Sequence, residues 1–219
     1  MSAEKLDTRV RREQIAQAAV ALIARDGLRK LSVGAVARRV GVVPSALYRH
    51  FKSKDDILQA VLDLLAGRLM GNVQAVCQET SDPTERLRRL LMRHIQLIRE
   101  NQAIPRIIFS DEFYDAHPDR RGRLYRVLDE YLQAVSKIIV QGQDKRLIRS
   151  DLDARTASML FIGIVQPAAV FWHISNGNFD VTRHAAKAWR VFLDAIRSPP
   201  GAASGRASIT RKKRKGARR

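Results

Sequence analysis

The 219-residue chain holds a single cysteine, Cys77. That excludes an intrachain disulfide framework and a cysteine-built metal centre, and it suits a reducing interior. Acids are scarce: 22 Asp and Glu stand against 40 Lys and Arg, a formal charge of +18. Such an excess speaks about partners rather than fold, and it points to nucleic acid or an anionic membrane surface. No stretch alternates apolar and polar residues between turn signals, so no sheet is expected. The opening MSAEKLDTRVRREQ lacks the apolar core of a secretory signal. A GxxxxGK phosphate loop, an HExxH zinc motif and a Ser-His-Asp order are all missing, so neither an enzyme nor a cofactor is expected.

Long hydrophobic runs are also rare. TASMLFIGIVQPAAVFW, residues 156–172, carries no charge. A spanning helix needs about 20 apolar residues. This run has 17, includes Gln166 and Pro167, and is flanked by Arg155 and His173. It reads as a buried helix, with no membrane partner. The positive charge sits at the two ends. Residues 1–55 hold twelve Lys or Arg against five acids, and residues 199–219 hold eight with no acid.

What remains is helical periodicity. Ile15, Ala18, Ala19, Leu22 and Ile23 share one face of a helix over 8–26, stopped by Gly27. Ser32 is placed to cap a short helix carrying Val33, Val36, Ala37 and Val40, which Gly41 ends. Pro44 suits the first position of another short helix over 44–51, with Leu47 and Phe51 inward. Ser53 then caps a helix running to about residue 78. Three helices within about 50 residues, the last two joined by a tight glycine turn, make a helix-turn-helix unit. Further helices are expected over 83–101, 105–114, 119–141, from about 152 to the SNGN turn at 175–178, and over 182–197. The chain divides into 1–55, 56–198 and a Pro/Gly/Ser-containing basic tail, 199–219, which cannot bury a core and reads as disordered.

GVVPSALYRHFKSKDD, 41–56, crowds polar and aromatic groups onto the second of the paired helices. In such a unit the second helix enters the major groove leading with its N-terminal residues. Pro44, Ser45 and Ala46 are therefore the candidates for base edges, Ser45 by hydrogen bonding and the other two by thymine-methyl contact. Tyr48, Arg49, His50 and Lys54 are candidates for phosphate contacts, as is Ser32 beside its capping role. Taken singly, Tyr48 also fits a half-buried core position, His50 a packing residue and Lys54 a solvated lysine. The tail suits either non-specific DNA binding or plain solvation.

Residues 10–60 resemble the TetR family of bacterial transcriptional regulators. The resemblance rests on Ile15-Ala16, Gly27, Ser32-Val33, Val36-Ala37, Gly41-Val42, Leu47-Tyr48, His50-Phe51 and Ser53-Lys54, and above all on Tyr-x-His-Phe-x-Ser-Lys. Val43 departs from the family's usual Ser or Thr cap, and Ser45 from its frequent glycine. The resemblance implies an all-α protein with an N-terminal helix-turn-helix DNA-binding domain and a C-terminal helical ligand-binding and dimerisation domain. It implies a homodimer on a near-palindromic double-stranded operator, a repressor whose binding a small-molecule effector alters. Cytoplasmic, nucleoid-associated localisation follows. A DNA-organising protein of the same fold, without a physiological ligand, is the alternative.

Apolar residues on several faces of the last two helices fit packing against a second copy as a four-helix bundle. Pro167 is expected to kink its helix and free a carbonyl near Gly163. Phe109, Phe113, Tyr125, Met159 and Gln166 are the candidates for a ligand cavity beside it, against the plainer reading that such residues are core. Asp111, Glu112, Asp115 and His117 lack paired spacing and read as a solvated turn rather than a metal site.

Overall fold

Side-chain caps set where the helices begin. The computed structural model describes residues 3–199 apart from 102, 109, 111, 112 and 114–117. Helix α1 (Ala3–Asp26) stops at Gly27, whose φ of 83° a side chain would resist, and a single 3-10 turn, Leu28–Lys30, follows. The Ser32 hydroxyl accepts from Ala35 N at 3.1 Å and starts α2 (Val33–Val40). Gly41, left-handed at φ 77°, ends α2 and turns the chain into α3 (Pro44–Tyr48). Ser53 accepts from Asp56 N at 3.2 Å, while Asp56 reaches back to accept from Lys52 N at 2.7 Å. These paired bonds open α4 (Lys54–Glu79), a helix of 26 residues.

Three more helices start on an aspartate. Asp82 caps α5 (Pro83–Glu100) by accepting from Thr84 N at 2.8 Å. After α6 (Ala103–Ile108) and α7 (Pro118–Asp144), Asp153 caps α8 (Ala154–Ile174) and Asp180 caps α9 (Val181–Ile196). Each such cap contributes about 1 kcal/mol. Among the described residues there is no strand, only an isolated bridge between Ile148 and Arg197.

Two apolar clusters organise the helices. The first joins α1, α2 and α3 to the start of α4, with Phe51, Ile57, Leu58 and Val61 all inside, and it takes in Ala103, Ile107 and Phe113 from the α6 region. The second holds the rest of α4 together with α5, α7, α8 and α9. Helix α4 thus runs through both, and α6 lies against the first while lining the second.

Three details differ from expectation. Helix α3 ends at Tyr48 rather than 51, because His50 N and Phe51 N both turn back to Leu47 O, at 2.9 Å each. The helix placed over 105–114 spans Ala103–Ile108. Helix α8 is not covered all round: it packs through Ala157, Phe161, Val165 and Ala168, while Leu160 (62%) and Ile174 (66%) stay exposed beside Met159 and Phe171. Pro167 lies on this bare side of a helix that runs on through it. Its missing N–H leaves the Gly163 carbonyl facing outward rather than over a cavity. Helices α4 and α8 are long and apolar enough to pass a membrane-span test by composition, yet each buries one face in the bundle. The basic tail lies outside the described residues.

Candidate nucleic-acid interface and apolar cavity

Helix α3 is anchored from beneath. Leu47 (1% exposed) and Phe51 (0%) fill the first cluster, so the rest of the segment must turn outward. Pro44, Ser45, Tyr48 and Arg49 are exposed, Ala46 and His50 half-buried. Tyr48 exposes 53% of its surface, which sets aside the half-buried core reading. Lys54 is half-buried at the first turn of α4, and Ser32 is exposed at the start of α2. The candidates of the helix-turn-helix therefore lie around α3 and the two neighbouring helix starts, and their exposed atoms are available to a duplex. Val43 caps nothing with its side chain, and Pro44 removes one of the N–H groups a cap would have served.

The sequence reading passed over Arg11 and Arg12. Arg12 donates to His50 O at 3.0 Å, and its guanidinium lies 4.6 Å from the centre of the Phe51 ring. It ties α1 to the C-terminal end of α3 and offsets the negative end of that helix. Arg11 borders a cleft of about 250 Å³ with Ala46, Arg49 and His50. The run of Arg9, Arg11 and Arg12 ahead of an apolar stripe was the available signal.

A second feature lies between the helices beyond α3. A slot of about 110 Å³ is walled by Leu62, Leu65 and Leu69 of α4 and by Leu97 of α5. Ile104, Pro105 and Ile107 of α6 close one side, and Val127 and Leu128 of α7 with Val165 of α8 close the other. Polar groups enter the lining at three places, His94, Tyr131 and Gln166. His94 Nδ1 lies 3.2 Å from the Tyr131 hydroxyl, and the two rings meet edge to face at 5.2 Å. Burial lowers the His94 pKa to about 4, so the ring is neutral at physiological pH, and it pushes the Tyr131 hydroxyl upward. None of the described lining residues is charged at neutral pH.

Of the four described residues among those expected at a cavity, Gln166 alone lines this one. Phe113 is fully buried in the first cluster, under the Arg120 guanidinium at 5.7 Å. Tyr125 (67%) and Met159 (56%) project to the outside. Phe109 lies outside the described residues, as do Asp111, Glu112, Asp115 and His117. No cluster of metal-ligating side chains occurs among the described residues.

Ionic contacts join the slot's walls to the first cluster. Arg120, 4% exposed at the start of α7, pairs with Asp55 in the first turn of α4 and donates to Phe113 O at 3.4 Å. One turn on, Arg123 pairs with Asp63 of α4.

Comparison with known proteins agrees with this layout. Residues 15–61 match the family model of bacterial regulatory proteins of the tetR family, and residues 64–195 match that of the C-terminal region of YsiA-like proteins. The fatty acid metabolism regulator protein of Bacillus subtilis (strain 168) is 24% identical over 183 residues, covering 84% of this chain and 94% of its own. A nucleoid occlusion factor, SlmA of Idiomarina loihiensis, is 22% identical, covering 84% and 93%. Among solved structures, the transcriptional regulator FadR from Bacillus subtilis in complex with stearoyl-CoA superposes with a TM-score of 0.70 at 22% identity, over 84% of this chain and 98% of that one.

Proposed function

Since the chain belongs to the tetR family of bacterial regulatory proteins, we propose that it is a homodimeric repressor, released from a near-palindromic operator when a long acyl ligand enters the α4–α8 slot. In this reading Pro44, Ser45 and Ala46 meet base edges. Ser32, Tyr48, Arg49, His50 and Lys54 hold phosphates, and Arg12 fixes the end of the reading helix. Two copies join through the bare apolar sides of α8 and α9, where Leu160, Phe171, Ile174 and Val191 await cover. Two α3 helices then face successive major grooves. The protein works in the cytoplasm, on the nucleoid.

The observation that carries the effector reading is the slot. Its walls are hydrocarbon with no charge among the described residues, and it lies between the elements that hold the N-terminal unit. A relative named for fatty acid metabolism and a neighbour solved with stearoyl-CoA favour an acyl chain over other apolar ligands. At about 110 Å³ the slot is smaller than a typical ligand pocket of roughly 300–1,000 Å³. Filling it must part α4, α6 and α7. Helices α6 and α4 pack on the first cluster, and Arg120 and Arg123 carry any movement of α7 to α4. The reading helices then change their separation. Ligand and DNA oppose each other only because they prefer different arrangements.

A footprint on genomic fragments retained by the protein tests this. One short near-palindrome, lost on adding stearoyl-CoA, is the expected result. Uniform protection along the DNA at moderate salt, unaffected by acyl-CoA, would replace it with the DNA-organising role that the likeness to SlmA keeps in view.

A further inference from the structure

The slot is apolar except for His94, Tyr131 and Gln166, and two of these three are bonded to each other. Their hydrogen atoms can be counted. A neutral imidazole carries one N–H and a phenol one O–H, so the pair owns two donors. Their mutual bond, His94 Nδ1 to Tyr131 Oη, uses one of them. If Tyr131 donates, His94 keeps Nε2–H. If Nδ1–H donates, Tyr131 keeps its O–H. Either tautomer leaves one donor without a partner among the described residues, on side chains that line the cavity. Neither His94 Nε2 nor Tyr131 Oη is a sealed, unpartnered atom among the described residues, so the spare donor stays open to whatever occupies the cavity.

From this we infer that the His94–Tyr131 pair is a specificity-determining station for one neutral carbonyl oxygen on an otherwise apolar ligand. The inference rests on the slot being the effector site. A free carboxylate does not suit it: no cation faces the cavity among the described lining residues, and neutral donors alone compensate a buried carboxylate poorly. An acyl group whose acid is masked as a thioester does suit it, with its chain along Leu62, Leu65 and Leu97 and its charged carrier outside. The pair therefore chooses between forms of the same chain: the activated acyl thioester is bound in preference to the free acid and the fully reduced thioether.

The test compares three ligands by calorimetry on the full-length protein: hexadecanoyl-CoA, S-hexadecyl-CoA, which has the same chain and carrier but no carbonyl, and free hexadecanoate. Wild-type protein should prefer the thioester over the thioether by about fivefold to tenfold, the usual weight of one buried hydrogen bond. Free acid should bind more weakly than the thioester. By the donor count, His94→Phe or Tyr131→Phe alone leaves one donor and keeps part of the preference. The double variant His94→Phe/Tyr131→Phe removes both donors and should bind thioester and thioether equally. Wild-type protein that binds the two CoA compounds equally overturns the station, and this ligand comparison needs no variant to fold. A preference that survives in the double variant overturns it too. Leu97→Trp, which fills the slot, separates the two levels. If it blocks both CoA compounds while wild type shows no preference, the cavity reading stands and the station alone falls. If neither compound binds wild-type protein, the acyl reading of the cavity falls and the station with it.

Discussion

Removing the two halves of the Arg120–Asp55 ion pair should have unequal consequences. The Arg120 side chain is 4% exposed, whereas Asp55 keeps 36% of its side chain open. In Asp55→Asn the guanidinium stays buried with no matching charge among the described residues. The weak bond to Phe113 O and the ring of Phe113 beneath it are poor substitutes. Breaking a buried pair this way costs about 3–5 kcal/mol, and the remaining contacts place this case near about 3. Loss of a carboxylate from the first turn of α4 adds up to about 1 kcal/mol. In Arg120→Met the buried charge goes, the apolar stem largely remains, and Asp55 rehydrates, so the cost is about 1 kcal/mol. Urea denaturation followed by circular dichroism, at matched protein concentration, measures both. In a thermal melt followed the same way, the melting temperature should fall by roughly 6–16 °C for Asp55→Asn and 2–4 °C for Arg120→Met. Equal losses, or a larger loss for Arg120→Met, would show that the guanidinium is not desolvated, and the proposed route from slot to reading helix would lose its buried joint.

Acid should weaken the fold through His94. Its folded pKa of about 4 lies below the ordinary 6.5, so as pH falls between these values the unfolded chain takes up a proton that the folded one refuses. Stability is complete above pH 6.5 and is lost toward pH 4, by at most about 3 kcal/mol. His94→Phe should flatten a stability profile across that window. The loss below pH 4.5 should persist, since Glu85, held to about 2 by hydrogen bonds from Arg88 and Arg89, titrates there. At the DNA face, Tyr48→Phe should weaken binding to every sequence alike, whereas Ser45→Ala should alter base preference in a selection from random duplexes. Equal losses for Ser45→Ala on all operator variants would move that residue off the base edges.

Helix starts were legible because they depend on neighbours in sequence. Ser32, Ser53, Asp82, Asp153 and Asp180 each bond the backbone two or three residues on. The outward side of 44–50 was legible for a similar reason: Leu47 and Phe51 leave a short helix no other way to turn. The slot was not legible. Its walls are leucines and isoleucines that periodicity cannot tell from ordinary core, and which side of α7 or α8 faces inward depends on partners distant in sequence. Tyr125 and Met159 were expected to line a cavity beside Pro167, yet both point outward. The useful signal was His94, a titratable group inside the apolar row of Leu90, Leu91, Ile95 and Ile98. Arg120 gave no signal, because among many arginines only tertiary packing decides which one is enclosed.

Helix α4 has 26 residues, a rod of about 39 Å. Its slot-lining residues Leu62, Leu65 and Leu69 sit only about 12–22 Å along it from Lys54, so the wall and the reading unit share the same short lever. A tilt of about 10° at that wall carries the N-terminal end through roughly 2–4 Å, on the scale of one base-pair step of about 3.4 Å. In a twofold pair the two displacements add. A ligand that shifts each wall by no more than a side-chain rotation can thus put both readers out of phase with the duplex, with every contact inside the reading unit left intact.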